Sequence, residues 1–101
     1  MAHLLVFEFP SHGPFGAEAL EAYRGLAEDI AGEEGLVWKV WTEDAEAGLA
    51  GGVYLFATKA DGDRYLALHT RRLQSLGVTD IEASEFAVNE GLSRITRAPL
   101  A

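Results

Sequence analysis

The sequence contains no cysteine, which excludes disulfide bonds, thiolate metal sites and cysteine nucleophiles. It also lacks long apolar runs: the N-terminal one is broken by Glu8 and is too short for a signal peptide, and none approaches the roughly 20 residues of a membrane span. Positive charge is scarce, with 8 Lys and Arg against 16 Asp and Glu. The resulting negative charge would repel nucleic acid and anionic membranes, so we expect neither as a partner. Cytoplasmic localisation is the default expectation.

What the sequence does contain is the composition of a folded domain. Of 101 residues, 49% are hydrophobic and 24% are charged, which is typical of a globular protein. This length leaves no room for a second hydrophobic core, and the chain shows no repeat or linker. We therefore predict one domain that spans residues 1–101.

Hydrophobic periodicity predicts six elements in this domain. Strands are expected at 3–9, 36–43, 53–58 and 78–88, and helices at about 17–32 and 60–76. The middle two strands would form a hairpin with a long, acidic and Gly-rich loop. The order strand, helix, strand, strand, helix, strand is that of a ferredoxin-like α+β fold with a four-stranded antiparallel sheet.

Each predicted helix carries one apolar stripe for packing on the sheet. In the first helix the stripe is Leu20, Tyr23, Ala27 and Ile30, and in the second it is Leu66, His69, Leu73 and Leu76. The strands are apolar on both faces, although two helices can cover only one face. We therefore predict a homodimer in which a second copy covers the other face.

Five segments, in order along the chain, resemble the signature segments of the YdhR family of monooxygenases. They are Gly-Pro-Phe-Gly at 13–16, Trp-Lys-Val-Trp-Thr-Glu at 38–43, Ala-Gly-Gly-Val-Tyr-Leu-Phe at 50–56, His-Thr-Arg-Arg-Leu at 69–73 and Phe-Ala-Val-Asn-Glu at 86–90. One position departs from the family pattern, because Leu49 stands where that pattern has an acidic residue. The resemblance implies a dimeric α+β barrel of the antibiotic-biosynthesis-monooxygenase type, which oxygenates a small aromatic, polyketide-like compound without a cofactor.

Oxygenation of an aromatic compound without flavin or metal needs an apolar pocket, a base and a group that stabilises an oxyanion. The candidate substrate-binding residues are the aromatic side chains of the loop, strands and second helix, namely Phe15, Trp38, Trp41, Tyr54, Phe56 and Tyr65. Trp38 and Trp41 lie on opposite faces of one strand, so at most one of them can face a given pocket. Packing in the core or an interface is the alternative role for both tryptophans, and it is the better expectation for Phe56.

Three polar residues are candidates for the chemistry. His69 interrupts a leucine stripe. It could act as a general base, or it could be a buried neutral histidine. Arg72 could hold a phenolate or carboxylate, or it could form a surface salt bridge. Asn89 could bind a substrate carbonyl, or it could cap a short C-terminal helical turn.

No cofactor is predicted from the sequence. The three histidines show no metal-ligand spacing, and Gly51-Gly52 precedes a strand instead of opening a phosphate-binding helix. Two other functions stay open at this point. One is a non-catalytic dimer that binds an apolar ligand, and the other is a haem-binding or haem-degrading barrel with His69 as the axial ligand.

Overall fold

The structure, a computed structural model, describes residues 1–100 and confirms the predicted ferredoxin-like order. The elements are β1 (His3–Pro10), α1 (Gly16–Ala31), β2 (Leu36–Asp44), β3 (Leu49–Phe56), α2 (Lys59–Ser75), β4 (Glu82–Ala87) and a short C-terminal helix, α3 (Glu90–Ile95). The strands form one antiparallel sheet in the order β2-β3-β1-β4. No helix within residues 1–100 is both long enough and apolar enough to cross a bilayer.

The third strand begins earlier than the sequence predicted, so the hairpin loop is short. Gly51 and Gly52 belong to β3 and pair with β1 and β2. A Cβ atom at Gly51 would overlap the carbonyl group of Phe7 on β1, so glycine permits the close approach of the two strands. The glycines predict a loop at this point, but in the structure they allow neighbouring backbones to pack closely.

The last strand begins later than predicted because residues after α2 are used to end that helix. Gly77 adopts a φ of 86°, and its N–H and that of Val78 bond to the carbonyls of Gln74 and Leu73 at 3.0 Å. This is the Schellman arrangement, in which a glycine reverses the chain after a helix. Val78 is thereby held at the helix end, and pairing with β1 starts at Glu82.

The core lies between the sheet and the two long helices. Its buried side chains come from β1, β3, α1 and α2: Leu5, Phe7, Ile30, Tyr54, Phe56, Tyr65 and Leu73. The expected buried stripe of α1 is only partly correct, because Ile30 is 1% exposed whereas Leu20 is 58% exposed. In α2, Tyr65 is buried and Leu76 is exposed, so the buried face is shifted from the predicted stripe. The N-terminal half of α1 therefore presents apolar side chains to open space instead of a closed core.

The face of the sheet that points away from the helices, called here the open face, is largely apolar. Cross-strand pairing places Leu4 beside Phe86, and Val40 beside Val53, on this face. Val40 and Phe86 are each 53% exposed. On the same face, the indole N–H of Trp38 donates to the carbonyl of Pro99 at 2.7 Å, which brings the end of the chain back against β2.

Candidate active site

A cavity of about 900 Å³ lies between the sheet and the helices, under the N-terminal half of α1. Aromatic and apolar side chains line most of it, and we call it the aromatic cavity: Phe9, Leu20, Tyr23, Leu26, Trp41, Tyr54, Leu73, Leu76 and Val78. Lys39 and His69 also line it. Its volume falls in the range of small-molecule sites, and its mainly apolar lining with few polar groups is typical of them. The apolar residues of α1 that fail to reach the core therefore form a wall of this cavity.

The register of the hairpin brings the polar and aromatic groups together. Lys39 on β2 pairs with Tyr54 on β3, and Trp41 pairs with Gly52. These side chains point toward the helices because alternate residues of a strand share a face. Tyr23 of α1 stacks on Trp41, with ring centroids 6.2 Å apart and planes 15° from parallel.

The floor of the aromatic cavity is a chain of hydrogen bonds from β3 through α2 to α1. The Tyr54 hydroxyl lies 3.2 Å from Nε2 of His69. Nε of Arg72 donates to Nδ1 of His69 at 3.3 Å, and Nη1 of Arg72 donates to the Asp29 carboxylate at 2.8 Å. Since Nδ1 accepts, a neutral imidazole carries its proton on Nε2 and donates that proton to the Tyr54 oxygen. The hydrogen of the Tyr54 hydroxyl is then available to another acceptor, and the buried Tyr65 hydroxyl, which has no other partner among residues 1–100, is one candidate within the protein.

Burial keeps both members of the Tyr54–His69 pair uncharged. Burial, with added repulsion from the charges of Lys39 and Arg72, lowers the pKa of His69 to about 3. Burial also raises the pKa of the Tyr54 hydroxyl, with Tyr65 contributing in the same direction. At neutral pH this pair is therefore a donor and acceptor system without net charge, and His69 is a weak base.

Lys39 is the cationic group of the aromatic cavity that lies against the aromatic rings. Its Nζ lies 3.4 Å from the centroid of the Trp41 ring and 4.6 Å from that of Tyr54. Contacts of this kind attract an ammonium group to the faces of the rings. Burial nevertheless lowers the pKa of Lys39 to about 7, with the charge of Arg72 as a second cause. Lys39 can therefore both accept and donate a proton near neutral pH.

The loop between β1 and α1 forms the rim of the aromatic cavity. The Glu43 carboxylate at the end of β2 accepts from the N–H of Gly16 at 2.9 Å, which ties the start of α1 to the hairpin. The N–H of Ser11 donates to the carbonyl of Gly48 at 2.8 Å and ties the start of this loop to the same hairpin. These two bonds hold α1 over the cavity while leaving space beneath it.

The structure brings some of the predicted site residues together. Trp41, Tyr54 and His69 line the aromatic cavity, and Arg72 bonds to His69 from behind it. Tyr65 stacks on His69, with ring centroids 5.0 Å apart, and is part of the core.

The other predicted residues do not themselves line the cavity. Trp38 is on the open face, and Phe56 is fully buried in the core. Phe15 is the N-cap residue of α1 and packs on Gly13. The side chain of Asn89 caps α3, where it accepts from the N–H of Leu92 at 3.1 Å, which was the alternative role considered for it. The positions of Trp38, Phe56 and Asn89 do not favour direct substrate contacts, whereas Phe15 stands between Pro14 and Gly16, which line the cavity, and its contact with substrate stays a prediction.

Sequence reasoning missed Lys39 and Tyr23 as cavity residues. Lys39 alternates in phase with Trp41 in the otherwise apolar segment 36–41, and a lone lysine in such a pattern is a usable signal. Tyr23 was assigned to the packed stripe of α1. Tyr23 lines a cavity because the N-terminal half of α1 does not pack closely on the sheet, and the sequence pattern does not show this spacing.

Two further groups could bear on metal or cofactor binding. One ligand atom each of His3, Asp63 and Glu85 lie within 4.8 Å of one another at an edge of the sheet. The carboxylate of Asp63 already accepts from Nζ of Lys59 at 2.6 Å, so the ammonium group of Lys59 supplies the positive charge that a metal ion would bring. Both nitrogens of His69 are engaged within the protein, so ligation of a haem iron would break its bond to Tyr54 or to Arg72.

Comparison with solved structures supports the fold. The chain is similar to a mutant of SnoaB, a cofactor-independent oxygenase from Streptomyces nogalater, with a TM-score of 0.62, 18% identity, and coverage of 87% of this chain and 93% of that one. It is also similar to a protein described as a putative antibiotic biosynthesis monooxygenase from Deinococcus radiodurans, with a TM-score of 0.55, 18% identity, and coverage of 88% and 93%. A comparison with curated protein sequences finds no match.

The architecture is thus a ferredoxin-like α+β domain with the fold of these two proteins. The sequence match is more specific than this likeness of folds. Residues 4–99 match the family model described as "Putative mono-oxygenase ydhR", and the chain belongs to that family. The resemblance drawn from the five sequence segments is confirmed.

Proposed function

We propose that this protein is a cofactor-independent monooxygenase that acts on a small aromatic, polyketide-like compound in the aromatic cavity. The observation that carries the proposal is the uncharged Tyr54–His69 pair in an aromatic-lined cavity of about 900 Å³. The Tyr54 hydroxyl can donate its hydrogen to a substrate oxygen on which negative charge develops, because His69 occupies its acceptor site. Membership of the monooxygenase family supports the same reaction class.

The substrate itself can supply the electrons in this type of reaction. When an activated methylene group becomes a carbonyl, it loses two hydrogens and gains one atom of O₂, and the second oxygen atom leaves as water. This stoichiometry balances without an external reductant. The protein has to bind the ring, assist removal of a proton and stabilise the oxyanion, which are the tasks that Trp41, a base and Tyr54 would perform.

Oxygen uptake tests this proposal directly. Purified protein is mixed with a panel of hydroxynaphthalenes and anthrones, and uptake is followed with an oxygen electrode, with ¹⁸O₂ used to label the product. We expect saturable uptake that is strongly reduced in Tyr54→Phe. Saturable ligand binding without uptake for every compound would reject the oxygenase and support the non-catalytic binder.

We further propose that the protein works as a homodimer through its open face. Leu4, Val6, Val40, Val53 and Phe86 lie on this face, and a contiguous apolar surface of this kind usually marks an interface. A second copy would cover this surface with two-fold symmetry, which is the commonest arrangement of homodimers. Cytoplasmic localisation and the exclusion of nucleic acid as a partner stay predictions from composition and charge.

A further inference from the structure

Lys39 has a charge that nothing in the described part of the chain neutralises. The ion pairs among residues 1–100 engage Lys59 and four of the arginines but not Lys39. Its surroundings are aromatic rings, the neutral His69 and the positive Arg72, which is itself paired with Asp29. A half-buried ammonium group without a carboxylate is costly in free energy unless a ligand supplies the missing charge.

The Lys39 side chain lies against Gly52 of the neighbouring strand β3. A Cβ atom at Gly52 would lie 2.8 Å from Cε of Lys39 and 3.2 Å from Cε1 of Tyr54. The absence of a side chain at Gly52 therefore provides the space in which the Lys39 chain crosses β3 toward Trp41. The second glycine of the Ala-Gly-Gly segment is accounted for by this contact, as the first is by Phe7.

The charged and titratable groups around the cavity favour an anion next to Lys39. Glu43 is the carboxylate of the lining, and it is engaged with the N–H of Gly16 at the rim. Arg24 of α1 also lines the cavity and pairs with Glu21 outside it. The remaining titratable groups are His12 and Tyr23 at the rim and wall, and Tyr54 and His69 at the floor. None of these groups, nor any other among residues 1–100, pairs with Lys39 as a carboxylate, so a bound anion would supply its counter-charge.

We propose that Lys39 is the proton acceptor for a phenol or enol bound in the aromatic cavity and then the counter-ion of the resulting oxyanion. In this step the substrate O–H bond breaks, its electron pair stays on oxygen, and the proton forms a new N–H bond on the neutral amine of Lys39. The ammonium so formed supplies the opposite charge that the bound anion needs. The inference rests on the proposed function, because it assigns a substrate class to the same cavity.

This role fits Lys39 better than His69, which sequence reasoning considered as the base. The pKa of Lys39 is about 7, so a neutral amine is available at physiological pH and is a competent base for an acidic hydroxyl group. The pKa of His69 is about 3, so the imidazole holds an added proton too weakly. The cavity should therefore select aromatic compounds with an ionisable hydroxyl and discriminate against their methyl ethers.

The test uses 4-nitrophenol as the probe, because its anion is yellow and its neutral form is not. The apparent pKa of the protein-bound probe is measured by absorbance during pH titration of wild type, Lys39→Met and Lys39→Arg. We expect wild type to bind the yellow anion at pH values where the free probe is mostly neutral. Lys39→Met should bind the anion on the order of tenfold more weakly, which corresponds to loss of about 1.4 kcal/mol.

Lys39→Arg separates the charge from the base. An arginine keeps the counter-ion but cannot accept a proton near neutral pH. At pH 7 about half of wild-type Lys39 is neutral and can take up the proton, so calorimetry in two buffers of different ionisation enthalpy should show about half a proton more released to the buffer per bound probe in Lys39→Arg than in wild type. Lys59→Met, which changes the exposed second lysine, is the matched control and should behave as wild type.

Several outcomes would overturn the proposal: no saturable binding of the probe to wild type, binding of the neutral form only, or the same bound-probe pKa in Lys39→Met. Oxygen uptake is a separate readout. If the probe ionises as expected but no substrate consumes oxygen, the Lys39 proposal stands and the monooxygenase proposal fails. If oxygen is consumed while Lys39→Met leaves probe ionisation unchanged, the reverse holds.

Discussion

The hydroxyl oxygen of Tyr54 and Nε2 of His69 lie 3.2 Å apart at the floor of the aromatic cavity. Arg72 fixes this contact from the other side of the ring, because its guanidinium donates to Nδ1 and leaves Nε2 as the position that carries the proton. The imidazole thereby orients a neutral tyrosine, and its role is that of a positioning residue. This assignment differs from that of a general base and leads to a distinct dependence on pH.

We predict that His69→Leu lowers the free energy of unfolding at pH 7 by about 1–3 kcal/mol, because the Tyr54 hydroxyl loses its buried partner. The pKa of His69 is about 3 in the folded protein, against an ordinary value of 6.5. Unfolded chains therefore bind the extra proton first as the pH falls from 6.5 toward 3, and wild type loses up to ~1.4 kcal/mol per pH unit through this group.

The variant lacks that loss, so the stability gap between wild type and His69→Leu should narrow as the pH falls from 7 to 4.5. Urea unfolding at a series of pH values measures this gap. A gap that stays constant would mean that His69 ionises equally in the folded and unfolded states.

We predict that the two lysines of the chain titrate several pH units apart. Burial lowers the pKa of Lys39 to about 7, whereas the hydrogen bond to Asp63 raises that of Lys59 above its ordinary value. NMR of protein labelled at the lysine side-chain carbons should resolve two signals, and Lys59→Met assigns them. A midpoint near 10 for Lys39 would contradict the proposed desolvation.

The same shift predicts a pH-dependent effect on stability. Unfolded chains bind more protons at Lys39 than folded ones between pH 7 and 10.5, so the cost of burying its charge is full below pH 7 and disappears by pH 10.5. Lys39→Met should therefore be most favourable for stability relative to wild type at pH 7 or below. Its relative advantage should decline as the pH rises through this interval.

We predict that ligand binding is reported by one of the two tryptophans only. Trp41 lines the aromatic cavity, whereas Trp38 lies on the open face and bonds to the carbonyl of Pro99. A phenol or quinone in the cavity should change the emission of Trp38→Phe, in which Trp41 remains. The same ligand should leave the emission of Trp41→Phe nearly unchanged, and equal responses of the two variants would place the ligand elsewhere.

We predict a homodimer of about twice the 10.9 kDa chain mass in gel filtration with light scattering. Phe86→Glu places a charge on the open face and should shift the protein toward monomer, because the charge would lose its hydration at the interface. Leu68→Glu is the control, since Leu68 is similarly exposed but lies on α2. A monomer for wild type at micromolar concentration, or equal effects of both variants, would reject the open-face interface.

Periodicity in the sequence was enough to predict the order of the elements, and the resemblance of five segments was enough to predict the family. The strands and helices form from local alternation and apolar stripes, and the five segments are specific in combination. The start of β3 was missed because glycine weakens a local strand signal. Glycine is needed at positions 51 and 52 because Phe7 and Lys39 pack closely there. Both contacts involve residues that are distant in the chain, so local sequence does not show them.

The sequence by itself determined the βαββαβ fold, the membership of the monooxygenase family and the inward position of His69. Only the tertiary structure decided which groups share a site. The cavity forms where the N-terminal half of α1 stands away from the sheet, and contacts such as the hydrogen bond between the Gly16 N–H and the Glu43 carboxylate hold the helix there. It also decided the chemistry of those groups. Burial beside Arg72 makes His69 a neutral partner of Tyr54 and gives Lys39 a pKa of about 7, and no local pattern encodes either environment.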